Sequence, residues 1–151
     1  MWQVRQILAL AMLAVCAYTD IKEKSIYVMP LVITGTGAVI ISLVSVLAES
    51  GEVAGKTMVD YMVLPAAAGI SAVLLSRASG GHIGSGDALL LGVLGLVTGI
   101  KTDIVTFTAG LFAVSVYAMA VLVLPRKRRV KYIPFAPFVM TGYVLVLANE
   151  I

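Results

Sequence analysis

The sequence predicts an all-α membrane protein: one domain over residues 1–151, folded as a bundle of about six transmembrane helices. Three observations lead there. Hydrophobic residues make up 60% of the chain and charged residues 13%, against roughly 25% charged in an ordinary soluble domain. Apolar runs recur between polar or glycine-rich breaks, and six spans of about 20 residues each consume most of the chain. Lysine and arginine gather in alternate breaks, as they do when such breaks lie on opposite sides of a bilayer.

The first segment, Trp2 to Tyr18, places Arg5 ahead of the apolar run Ile7 to Val15. A secretory signal has the same look. Val15 is a poor fit before Cys16 for a lipoprotein signal, however, and cleavage would remove the span that holds Asp20, so a membrane span is expected. Tyr27 to Ala48 and Met58 to Leu75 are the second and third segments. The fourth, Ala88 to Ile100, is short at about 13 residues, or roughly 20 Å of helix against a hydrocarbon core of about 30 Å. A re-entrant piece would place the Lys22/Lys24 connection and the Arg126 to Lys131 connection on opposite sides, so charge favours a full span with Asp87 at or below the membrane surface. Ile104 to Leu124 is the fifth segment and Tyr132 to Leu147 the sixth, where Pro134 and Pro137 open or kink the helix and their aromatic neighbours suit the headgroup belt.

Connections Asp20 to Ile26, Ser76 to Asp87 and Pro125 to Lys131 then share one side. They hold eight basic residues: Lys22, Lys24, Arg77, Arg126, Lys127, Arg128, Arg129 and Lys131. The other side, with connections Glu49 to Thr57 and Lys101 to Asp103, keeps three, Arg5, Lys56 and Lys101, together with Glu49, Glu52, Asp60, Asp103 and Glu150. The positive-inside rule makes the eight-residue side cytoplasmic and puts both termini outside. On that placement Arg126 to Arg129 reads as an anchor beside anionic lipid rather than a nucleic-acid surface.

Cys16 is the single cysteine and His82 the single histidine. An internal disulfide is excluded, and neither a metal site nor a cofactor is expected. The informative acids are Asp20, closing the first helix, and Asp87, opening the fourth, because both fall on the same expected face. Ionisable groups at membrane depth are costly and mark function or a buried pair. Each also has a bland reading: Asp20 as a solvated acid beside Lys22 and Lys24, Asp87 as a helix N-cap. Two carboxylates brought together can share one proton, so that one serves as base and the other as acid in aspartic proteolysis. Gly84 and Gly86 would let a substrate backbone approach. A transporter or channel subunit binding protons or cations at the two acids is the alternative, although no internal repeat supports it; a noncatalytic assembly protein is a third.

Three motifs carry a resemblance. They are Asp20-Ile21-Lys22-Glu23-Lys24-Ser25-Ile26; Ile83-Gly84-Ser85-Gly86-Asp87 followed by Leu90 and Leu91; and Lys131-Tyr132-Ile133-Pro134-Phe135-Ala136-Pro137-Phe138. Together they resemble the type IV prepilin peptidase family of membrane Gly-x-Gly-Asp aspartic proteases. The resemblance implies an endopeptidase that cuts the short leader of a prepilin or pseudopilin after a glycine, at the cytoplasmic face of a bacterial or archaeal-type membrane. Asp20 and Asp87 are then catalytic, and Gly84, Ser85, Gly86 and Lys131 are placed at the substrate, Lys131 alternatively at lipid. Two positions depart from the family pattern: Tyr27-Val28 stands where Pro-Asn is frequent, and Leu89 where Lys is. The long insert with paired cysteines of bifunctional members is missing, which implies cleavage without N-methylation. The oligomeric state and the particular substrate are left open.

Overall fold

The computed structural model describes residues 2–23, 26–49, 51–80, 84–123 and 133–150. Every regular element among them is helical: α1 Trp2–Glu23, α2 Val28–Ala48, α3 Glu52–Ala78, α4 Ser85–Thr98, α5 Ile100–Val123 and α6 Ala136–Glu150. The six expected segments are present. Helices α1, α2, α3 and α5 are long and apolar enough to cross a membrane, while α4 and α6, of 14 and 15 residues, are shorter.

Several ends lie elsewhere than apolar runs alone suggest. Helix α1 continues to Glu23, so Asp20 sits inside its last turns instead of closing it. Helix α3 begins at Glu52, six residues ahead of Met58. Its turn at Val59–Val63 is π-helical, just ahead of Pro65, whose ring leaves the Tyr61 carbonyl without its usual i+4 donor. Helix α4 starts at Ser85, and α5 follows it after Gly99 alone. Gly99 has φ of 86°, and a Cβ there would lie 3.0 Å from the Tyr61 ring, so glycine suits both the turn and the contact. Lys101 to Asp103, expected as a loop, is therefore the first turn of α5.

Helix α4 is the central element and packs against α1, α2, α3 and α5, while α6 closes the bundle on α1 and α5. The core joins Ala9, Leu13 and Cys16 of α1, Leu31 of α2, Leu90, Leu94 and Val97 of α4, and Val139 and Tyr143 of α6. Small residues permit the closest crossings, as membrane helices require where packing rather than water exclusion drives association. A Cβ on Gly69 would lie 2.8 Å from Cα of Gly92, and one on Gly142 would lie 2.8 Å from the Thr106 carbonyl oxygen. Large apolar side chains such as Ile7, Met29, Leu47, Phe112 and Val123 point outward. That surface suits hydrocarbon and not water.

Candidate active site

Along α1 the buried positions Arg5, Ala9, Met12, Cys16 and Asp20 recur at helical spacing and form one stripe. Asp20 therefore faces the bundle interior and is 1% exposed. The solvated-acid reading fails for it. Its Oδ2 accepts the backbone N–H of Ala136 at 2.9 Å, across 116 residues of sequence. Ala136 opens α6, so the Asp20 carboxylate caps that helix from a distance, where free N–H groups and the positive end of the dipole favour an anion.

Asp87 is the third residue of α4, and Gly84 holds the N-cap position without a side-chain cap hydrogen bond. The acid is half-buried and lies in the electrostatic field of Asp20. The two carboxylates, 67 residues apart in the chain, thus lie toward one end of the bundle, Asp87 in the first turn of α4 and Asp20 bonded to the first residue of α6. The glycines between them have an internal role. A Cβ on Gly84 would come within 2.8 Å of Asp87 Oδ2, and one on Gly86 within 3.0 Å of the Ile26 Cβ. They make room for this chain's own acid and for the first motif, in addition to the substrate approach expected of them. Ser85 is exposed beside Asp87. Lys131 lies outside the described residues, as do Lys24, His82 and Arg126 to Arg129.

All three sequence motifs converge here. Ile26 of the first touches Gly86 of the second, and Ala136 of the third binds Asp20 of the first. Phe135 and Phe138 of the third motif pack onto α5: Phe135 meets Phe107 edge-on at 5.2 Å, and Phe138 meets Tyr117 at 5.4 Å. At the departure from the family pattern, the Tyr27 hydroxyl donates to Glu23 and fastens the α1–α2 connection.

The opposite end of the bundle holds polar residues that apolar segmentation left as loop or surface charges. Arg5 is 5% exposed. Its guanidinium donates to the carbonyls of Leu96 at 3.4 Å and Val97 at 3.3 Å and to the Ser42 hydroxyl at 3.1 Å, and lies 4.3 Å over the Tyr61 ring. It satisfies carbonyls at the C-terminal end of α4, where cations are favoured. Asp103, expected in a connection, is instead fully enclosed in α5. The stripe from Arg5 to Asp20, and the series Asp103, Thr106, Gly110 on α5, are the sequence signals for these positions.

The comparison with curated proteins and the comparison with solved structures each return no match. A family model described as the type IV leader peptidase family matches residues 7–119, the stretch that runs from α1 into α5 and contains both Asp20 and Asp87. The chain belongs to the type IV leader peptidase family.

Proposed function

We propose that this membrane peptidase is an aspartic endopeptidase that removes the short N-terminal leader of prepilin-like proteins, with Asp20 and Asp87 as its catalytic pair. The observation that supports the reading is that a buried acid of α1 and an acid in the first turn of α4 lie toward one end of the bundle, where the third motif supplies an N–H to Asp20. Net negative charge there faces the positive ends of α4 and α6. In such a pair one carboxylate draws a proton from water as its oxygen attacks the scissile carbonyl. The protonated partner donates a hydrogen bond to the carbonyl oxygen where charge develops. Collapse of the tetrahedral species then returns a proton to the departing amine. Acid and base are roles of the pair rather than of one residue.

The excess of basic residues in the connections next to Asp20 and Asp87 supports a cytoplasmic location for this end. A leader that has not crossed the membrane remains on that side. Gly84, Ser85 and Gly86 precede Asp87 and are the residues beside which the substrate backbone would approach, and the resemblance of the third motif adds Lys131 to the proposed substrate site. No metal or cofactor enters the chemistry.

Co-expression of a prepilin from the same source with wild type, Asp20→Asn and Asp87→Asn tests the pair. Each amide keeps the shape and cannot ionise, so processing should fall by on the order of 10²- to 10⁴-fold. Normal processing by either variant rejects the dyad.

A further inference from the structure

Away from the aspartate pair the bundle encloses an acid that leader cleavage does not use. Asp103 has none of its surface exposed, and among the described residues neither of its carboxylate oxygens has a hydrogen-bond partner. The Thr106 hydroxyl is equally enclosed and equally unpartnered. A spacing of three puts the two on one face of α5. The carboxylate fits because Gly95 has no side chain: a Cβ there would lie 2.9 Å from Asp103 Oδ2 and 2.9 Å from the Pro65 Cβ. Asp103 is thus held where α3, α4 and α5 meet.

Among the described residues no charged or titratable side chain hydrogen-bonds it. Asp60 and Tyr61 of α3 and Lys101 of α5, with Thr98 of α4, line a cavity of about 240 Å³ at this end of the bundle. None of them hydrogen-bonds the carboxylate. Arg5 of α1 directs its donors to Leu96, Val97 and Ser42. Buried charges in proteins are paired or hold a cation, because an isolated ion in a low-dielectric interior is too costly to keep. Membrane depth sharpens that rule.

We infer that Asp103, with Thr106 beside it, is a binding site for one small monovalent cation, drawn from the medium as a proton or as Na⁺. Either cation cancels the charge of the carboxylate: a proton bonds to one Asp103 oxygen, whereas Na⁺ lies against the carboxylate and takes the Thr106 hydroxyl as a further oxygen ligand. Divalent ions are poorly matched, since Ca²⁺ takes about six to eight oxygens. Among the described residues no group of three or more His, Cys, Asp or Glu side chains comes together. The site stands independently of the Asp20/Asp87 reading.

The test uses the full chain purified in detergent, as wild type, Asp103→Asn and Thr106→Ala. Thermal unfolding is compared in NaCl and in choline chloride at equal pH and ionic strength, and infrared difference spectra are recorded near neutral pH. A rise in Tm with Na⁺ that wild type shows and Asp103→Asn lacks identifies the metal cation. No such rise, with a protonated-carboxyl C=O stretch that disappears in Asp103→Asn and moves in Thr106→Ala, identifies the proton. The absence of both signals overturns the site. Should Asp103→Asn fail to fold, wild type against Thr106→Ala decides on the same readouts: a Na⁺ response weakened in Thr106→Ala, or a carboxyl band moved by it, supports the site, and neither overturns it.

Discussion

Gly84 separates catalytic geometry from stability more cleanly than the acids do. It is exposed and its φ of −61° suits any residue, so alanine there costs the backbone little. The added methyl would stand 2.8 Å from Asp87 Oδ2, however, and the carboxylate would have to turn away. Gly84→Ala should therefore leave the unfolding temperature near that of wild type while lowering prepilin processing by about 10²-fold, the scale of a misplacement near 1 Å. A fall in both together would show that the glycine serves folding instead. Arg5 makes the opposite case. Arg5→Met removes the donors to the Leu96 and Val97 carbonyls and should lower stability by about 1–3 kcal/mol, measured by denaturation in detergent. Its place was legible in part, since Arg5 continues the stripe Ala9, Met12, Cys16 and Asp20. What it binds was not, because carbonyls 91 and 92 residues away leave no mark on local sequence.

At the scale of the helix, the start of α6 should respond to the loss of a single N–H. Proline is well accommodated at the first position of a helix, so Ala136→Pro should preserve α6 while removing its donor to Asp20. Loss of that bond should cost about 1–3 kcal/mol and reduce cleavage, read as unfolding free energy and as the ratio of processed to unprocessed prepilin. The crossing of α3 and α4 is more rigid. Gly69→Ala would bring a methyl to 2.8 Å from the Gly92 Cα, which is backbone and has no rotamer to yield, so destabilisation of about 1–3 kcal/mol is expected. Hydropathy located all six helices because lipid demands long apolar stretches with their backbone groups satisfied internally. It misplaced the starts of α3 and α5, where Glu52, Lys56, Lys101 and Asp103 are polar residues within helices. Helix ends answer to caps, glycine turns and tertiary partners, none of which follows hydropathy.

Across the whole molecule, the alternation of basic and acidic connections predicts an orientation that can be checked. With a membrane-impermeant thiol reagent, Ser79→Cys should label only from the cytoplasmic side and Gly51→Cys only from the other. Labelling of both from one side would remove the topological basis for placing the Asp20/Asp87 end in the cytoplasm. Charge placement made it legible that these two acids share one end of the bundle. The contact of Ala136 with Asp20 was not legible, because it is made by a backbone N–H common to almost every residue. That contact joins a segment beyond residue 119, the last position matched by the family model, to an acid within the match. Division of the peptidase into two polypeptides should therefore leave each inactive alone. Residues 1–123 retain both acids without α6, and co-insertion of residues 124–151 as a separate chain should restore prepilin cleavage by fragment complementation. The same fragment carrying Ala136→Pro should rescue less well.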